Sequence, residues 1–297
     1  MRSPSGLCGE LRHRGADRGA SAGRGPSPVL TNGTDDAWQC NPARVRHTYD
    51  RNVRGRLRVS ACQTPEILGD IESALLCIEG FAAQADADGA QLLVFPECFL
   101  QGYLVEERHV REHALSLDSS RFATLLERLA PIKPTLVIGA IEDDDGRYFN
   151  TAVVIARGQL VGTYRKTHLV AGESVFGIGT TYPTFVLNGV RFGINICYDT
   201  QFADAAASVA AQGARLLLAP AQNMMRRPAA QHWKDLHHAI RAERARGTGM
   251  WLVSADVTGE RDECRVGWGP TSVVNPRGEI MAQVPLGTTG MVVADIE

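Results

Sequence analysis

The stretch LRVSACQTPEILGDIESALLCIEGFAAQADADGAQLLVFPE, residues 57–97, decides the fold. It opens on a β-branched and aliphatic run at 57–62 and closes on a second at 91–95, each the length of a strand. Between them Ile71, Ala74, Leu75, Ile78, Phe81, Ala82 and Ala85 recur at i, i+3, i+4 spacing, which lays one apolar stripe along a helix. Strand, amphipathic helix and strand make a βαβ opening, and the crossover helix forces the two strands to run parallel.

The same alternation continues downstream. Further strands are predicted at 135–141, 151–156, 160–165, 184–187, 190–196, 215–219, 250–255, 271–275, 279–283 and 291–295. Helices are predicted at 119–129, 202–212 and 229–246, the last carrying Trp233, Leu236, Ile240 and Ala242 among charges. Arg157-Gly158, Asn188-Gly189 and Arg277-Gly278 each separate two strands and supply the positive-φ residue of a tight turn. No linker divides the chain after residue 57, so helices and a mixed sheet belong to one α/β layered domain, 57–297.

Residues 1–56 read differently. They hold ten Arg against five acids, a charge of +5 that leaves −7 on the remainder of a chain whose total is −2. Rich in Gly, Ser, Pro and Arg and without apolar periodicity, they bury too little surface to offset the entropy of ordering, so a disordered tail is expected. The opening lacks the uninterrupted apolar stretch of a secretory signal. An organelle transit segment, an over-long start and a role-free terminus all remain compatible with it.

With 297 residues, 44% hydrophobic and 22% charged, the chain has an ordinary globular composition. No run approaches the roughly 18 apolar residues of a membrane span, and near-neutral charge gives no basic face for nucleic acid or anionic lipid. The seven cysteines, Cys8, Cys40, Cys62, Cys77, Cys98, Cys197 and Cys264, are odd in number and include no C-x-x-C pair, which fits neither a disulfide framework nor a zinc ribbon. A reducing, cytoplasmic location is expected, with any of these thiols free to react.

Three residues sit at or just past predicted strand ends, where side chains from different strands converge. Glu97 follows the apolar run and Pro96, which cannot continue a central ladder. Lys166, in Gly162-Thr-Tyr-Arg-Lys-Thr-His-Leu169, continues the alternation of Leu160, Gly162 and Tyr164 and so points inward, where an ammonium needs a partner. Cys197 ends the run from Val190 and precedes an Ala-rich helical stretch; a nearby lysine or helix N-terminus is expected to pull its pKa below about 8.5. Taken singly, Glu97 also reads as a solvated loop acid and Cys197 as a small core residue.

Together they carry more. Glu, Lys and Cys in that order, within F-P-E-C-F-L-x-G-Y, Y-R-K-T-H-L and I-C-Y-D, resemble the carbon–nitrogen hydrolase family, or nitrilase superfamily. The likeness spans about 57–297 and takes in Val59–Gln63, Phe149-Asn150-Thr151-Ala152, His232-Trp233 and the segment from Pro270 to Gly278. It implies a four-layer αββα sandwich, with Cys197 as nucleophile, Glu97 as general base and acid, and Lys166 as the cation at the developing oxyanion. It further implies that Glu173 orients Lys166 or the attacking water and that the Tyr198 backbone N–H joins the oxyanion site. No metal or organic cofactor is required by that chemistry. The resemblance also suggests dimers or larger homo-oligomers.

The substrate expected is a small amide or N-carbamoyl amine, cleaved through a thioester, with a nitrile as the alternative. Tyr103, Asn223 and Trp268, with Met224 and Met225, are candidates for the pocket wall. Two departures from the family pattern stand out: Ala203-Asp204 where a Pro-Glu pair is common, and Arg244-Ala-Arg-Gly-Thr248 where R-A-x-E-N is common. Against the hydrolase stand a Cys–His protease using His168, His232, His237 or His238, a non-catalytic interaction module and an acyltransferase. The protease lacks its sequence signatures here.

Overall fold

The computed structural model describes residues 55–297. In chain order the elements are β1 (Leu57–Pro65), α1 (Ile71–Ala87), β2 (Leu92–Val94), α2 (Glu107–His113), α3 (Ser120–Leu129), β3 (Thr135–Asp144), β4 (Arg147–Ala156) and β5 (Gln159–Arg165). There follow β6 (Thr184–Leu187), β7 (Val190–Ile194), a 3₁₀ turn (Cys197–Gln201), α4 (Ala203–Ala210), β8 (Leu216–Pro220), β9 (Met225–Arg226) and α5 (Arg227–Thr248). The chain closes with β10 (Trp251–Asp262), β11 (Arg265–Trp268), β12 (Ser272–Val274), β13 (Ile280–Gln283) and β14 (Gly290–Ile296).

The strands run in the order β5-β4-β3-β2-β1-β10-β8-β7-β6. The opening βαβ unit is realised: Val59 to Ala61 pair in parallel with Leu92 to Val94. β10 ties two sheets together. Its first half, Trp251 to Ala255, pairs in parallel with β8, and Gln63 to Pro65 of β1 pair with Asp256 to Thr258 just beyond. The chain therefore passes from one sheet to the other between Ala255 and Asp256.

Packing separates four layers. One apolar cluster joins Ile78 and Phe81 of α1 and Phe122 and Leu125 of α3 to Leu93, Phe95, Leu136 and Ile138 of the first sheet. A second lies between the sheets and sets Val59, Val94, Val137 and Tyr164 against Phe192, Ile194, Leu216 and Val253. A third joins Ala206, Val209 and Ala245 of α4 and α5 to Leu217, Leu252 and Val274 on the outer face of the second sheet. Within β2, Leu93 belongs to the helix-side cluster and Leu92 and Val94 to the inter-sheet one, as the two-residue period of a strand requires. A strand buried on both faces reads as an unbroken apolar run, which is what 92–95 is. The αββα sandwich expected from the resemblance is the architecture found.

Several boundaries moved. β2 stops at Val94, before Phe95, because the chain turns at Pro96. β10 runs to Asp262, well past 255, because its polar second half pairs with β11 in a hairpin that hydrophobic alternation does not mark. β9, β11 and α2 carry too few apolar residues to show a period, and none was expected. β3 and β4 extend into charged residues and meet at Asp145-Gly146, with φ of 52° and 81°, an unanticipated hairpin turn of the same kind as Arg157-Gly158 and Asn188-Gly189. The expected tail lies outside the described residues up to 54, while Gly55 and Arg56 already belong to the fold: Gly55 N–H donates to Asn188 O at 2.9 Å and Arg56 pairs with Glu297.

Candidate active site

Glu97 is held by a close backbone approach. After Pro96 the chain turns across β3, where Gly139 N–H donates to Pro96 O at 3.2 Å and Leu100 N–H donates to Gly139 O at 3.0 Å. A Cβ on Gly139 would lie 2.2 Å from Cys98 N and 2.3 Å from Pro96 O, so only glycine admits the turn. Cys98 adopts φ 48°, an uncommon left-handed value for a residue with a side chain, and lies fully buried beside Val110, Ile141 and Phe176. Glu97 thus faces inward with 2% of its surface exposed, which removes the solvated-loop reading.

Lys166, one residue past β5, is 1% exposed and donates to Glu97 Oε1 at 2.7 Å and Glu173 Oε1 at 2.8 Å. Glu173, wholly buried, also accepts from Tyr103 OH at 2.9 Å and from Val170 N–H at 2.7 Å. Asn150 on β4 completes the cluster, donating Nδ2 to Glu97 Oε1 at 2.7 Å and to Glu173 Oε1 at 3.4 Å. Two buried carboxylates around one ammonium survive desolvation only through such a closed set of charge-assisted bonds. Burial alone would push Lys166 down, but Glu97 leads the neighbouring negative groups that outweigh it and keep it charged. Burial pushes Glu97 above its ordinary value of 4.5, against the pull of Lys166.

Cys197 opens the 3₁₀ turn and, at φ 45°, occupies a left-handed conformation that costs a side chain about 1–3 kcal/mol. It is partly exposed, unlike Cys98. Asp199, buried two residues on, organises the turn: it accepts from Ile196 N–H at 2.8 Å and His168 N–H at 2.8 Å, and from Tyr164 OH at 2.8 Å. One carboxylate thereby ties the Cys197 turn to the loop that follows Lys166. Tyr198 N–H stands in the first turn of that 3₁₀ segment, where backbone donors lack partners within the helix, and its ring packs edge-on against Phe202.

The thiol does not have the lowered pKa expected from sequence. Burial, then the negative charge of Glu97, raise Cys197 well above the usual thiol range, and Lys166 only partly opposes them. The cation lies close to the sulfur, but Glu97 lies there too, and desolvation penalises the thiolate more than Lys166 rewards it. Both causes favour the protonated thiol over the thiolate.

Cys197 Sγ–H donates to Asn223 Oδ1 at 3.8 Å, and no histidine among the described residues is hydrogen-bonded to the sulfur. His168 instead stacks on Phe202 at 3.8 Å and contacts Asp199. Of the pocket candidates, Asn223 and Trp268 line one small cavity with Met225, Ala230, Lys234 and His237. Met224 is buried, and Tyr103 supports Glu173. Asn150, Asp199 and Asp256 were missed as site residues, although the first two lie inside quoted motifs. Nothing local distinguishes an acid or amide that will be buried from one in solvent. Among the described residues no cluster of three or more His, Cys, Asp or Glu is arranged to hold a metal ion.

The chain is similar to known proteins in sequence and in fold. A chain from Homo sapiens called omega-amidase NIT2 is 32% identical over 216 residues, covering 68% of this chain and 75% of its own length. A Pseudomonas protein called (R)-stereoselective amidase is 29% identical over 66% of this chain and 69% of itself. The solved structure of an amidase from Nesterenkonia sp. superposes with a TM-score of 0.72 at 24% identity, over 82% of this chain and 92% of that one, and shares the fold. Residues 58–297 match the family model described as carbon-nitrogen hydrolase, starting one residue into β1 and running to the end of the sandwich, so the chain belongs to the carbon–nitrogen hydrolase family.

Proposed function

We propose that the protein hydrolyses the carbon–nitrogen bond of a small amide or N-carbamoyl amine, with Cys197 as nucleophile, Glu97 as general base and acid, and Lys166 as oxyanion donor. The observation that carries this reading is the buried Glu97–Lys166–Glu173 cluster beside Cys197, a half-buried residue in a strained backbone conformation. An amide carbonyl is a poor electrophile, so the sulfur must attack as thiolate. Because the protonated thiol is favoured, Glu97 takes the proton as the sulfur–carbon bond forms and returns it to the departing nitrogen.

The ammonium of Lys166 has three donors and gives two to carboxylates, leaving one for the tetrahedral oxygen alongside the Tyr198 N–H. Collapse expels ammonia or amine and leaves a thioester. Glu97 then deprotonates a water, which attacks the thioester carbon, and the proton returns to sulfur with release of the carboxylic acid. Glu173 and Asn150 hold Lys166 and Glu97 in register. The names of the relatives, both amidases, favour amides over nitriles.

A reducing cytoplasmic setting suits a nucleophilic thiol, and no helix among the described residues is long and apolar enough to cross a membrane. We also place the chain in a homodimer or larger assembly through the helical layer, where α5 exposes His232 and Leu236. Sedimentation as a strict monomer would overturn that placement. For the activity, purified protein is assayed for ammonia against amides, N-carbamoyl compounds and nitriles, with intact mass read for an acyl adduct. Amide-dependent ammonia with an adduct on Cys197 supports the assignment. Release from nitriles alone moves it to the nitrile reading, and tight partner binding without turnover to the interaction module.

A further inference from the structure

Behind the sulfur lies a second buried ion pair that the mechanism does not use. Asp256, at the point where β10 changes sheets, is wholly buried and accepts from Asn223 N–H at 3.0 Å, from Val257 N–H at 2.9 Å and from the Asn223 side-chain Nδ2. Arg241 on α5, 3% exposed, reaches the same carboxylate with Nη2 at 3.5 Å and donates Nη1 to Pro270 O. The Asp256 N–H is in turn bound to Thr271 Oγ1 at 2.9 Å.

An ionised carboxylate only accepts, so the end of the Asn223 carboxamide that meets Asp256 must be its NH₂. The other end, Oδ1, then has one direction left, toward Cys197 Sγ at 3.8 Å. A carboxamide alone could turn over and present a donor to sulfur instead. Arg241 balances the buried charge that prevents this.

We propose that Arg241 and Asp256 are positioning residues that lock the Asn223 carboxamide with its acceptor toward the sulfur, so that Asn223 holds the resting thiol in one place and the thiol turns its single proton to Glu97 only as it attacks. An acceptor at that place opposes free thiolate, whereas a turned amide donating to sulfur favours it. Releasing the lock therefore makes the free thiol more reactive and the enzyme slower, two changes of opposite sign. General damage to the fold makes the enzyme slower and uncovers every buried cysteine, Cys98 included. The proposal rests on the hydrolase reading for its catalytic half alone.

The test is a double-mutant cycle on the full chain with Asn223→Ala, Asp256→Asn and both together. Each is measured for kcat and KM on an amide that the wild type turns over. Each is also measured for the rate of alkylation by iodoacetamide at one pH, with Cys197 and Cys98 followed by peptide mass. Either single change is expected to lower kcat roughly 10–100-fold, the usual loss when an orienting partner is removed, with KM little altered. The double change is expected to lose no more than the larger single loss, because the two act as one unit.

In both single variants Cys197 is expected to alkylate several-fold faster while Cys98 stays protected. Losses that multiply, an Asp256→Asn enzyme of unchanged kcat, or Cys98 reacting alongside Cys197 would each overturn the lock. Should Asp256→Asn not fold, Arg241→Lys and Arg241→Met carry the test: lysine is expected to retain most of kcat and methionine to lose it, and equal losses overturn the proposal. A wild type that hydrolyses no amide sinks the functional reading, and the alkylation rates still decide on the lock.

Discussion

Lys166 is the residue on which most depends, since it sits between two buried acids. Lys166→Met leaves Glu97 and Glu173 facing each other without a cation, an uncompensated burial worth about 3–5 kcal/mol. It also removes the proposed oxyanion donor, for which kcat is expected to fall roughly 10²–10³-fold or more. Urea unfolding and ammonia release measure the two losses separately. The cysteines divide just as sharply. Cys197→Ala is expected to abolish ammonia release and the acyl adduct, and Cys98→Ala to spare most activity, because Cys98 faces Val110 and Phe176 in the core. Equal losses would mean that the nucleophile is misassigned. As the proposed base, Glu97 is expected to set the acid side of the pH profile. It acts as base only when ionised, and burial raises it, so kcat/KM is expected to fall on acidification beginning above the ordinary carboxylate value of 4.5. A profile flat down to that value would remove Glu97 from the role. Glu97 and Cys197 were legible in the sequence because motif and strand end coincide there. Asn150 and Asp199 were not, since their roles come from partners 53 and 31 residues away, Glu97 and His168.

Among the elements, β3 and α5 carry consequences of their own. Where β3 passes under the Glu97 turn, Gly139→Ala places a methyl 2.2 Å from Cys98 N and 2.6 Å from Glu97 C. Backbone cannot yield as a flexible side chain does, so the turn must shift. Activity is expected to fall at least 100-fold, since a displacement of about 1 Å in a reacting group costs that much. Near-native activity in Gly139→Ala would show that the turn has slack. On α5, burial and then Arg241 push His237 down to about 3 and His238 down to about 4, from an ordinary 6.5. Both are neutral in the fold, and lowered values mean that the unfolded chain takes protons first. Stability is therefore complete above about pH 6.5. It falls on acidification by up to about 1.4 kcal/mol per pH unit for each histidine, until the folded values are reached. Urea unfolding at pH 7 and pH 5 should show the loss, and His237→Gln should remove about half of its slope. An unchanged slope would place His237 in solvent. The extent of α5 followed from its helical period. The partial burial of its histidines did not, because His237 is flanked by Trp268 and Pro270, which lie beyond the helix in the chain.

For the molecule as a whole, deleting residues 1–50 keeps Gly55 on Asn188 and Arg215, keeps Arg56 on Glu297, and leaves β1 intact between β2 and β14. Unchanged Tm and unchanged ammonia release are expected, and a large loss of folded protein would show that the opening segment is part of the domain. The sequence alone determined the alternation of strands and helices, the βαβ opening and the order Glu97, Lys166, Cys197, because periodicity and turn residues are local and a motif is read along the chain. Tertiary structure alone decided that the thiol pKa is raised and not lowered, that Glu173 and Asn150 close the cluster around Lys166, and that Arg241 and Asp256 stand behind Asn223. Those outcomes are set by desolvation and by charges brought together across two sheets, and both depend on distances through space that spacing along a chain does not contain.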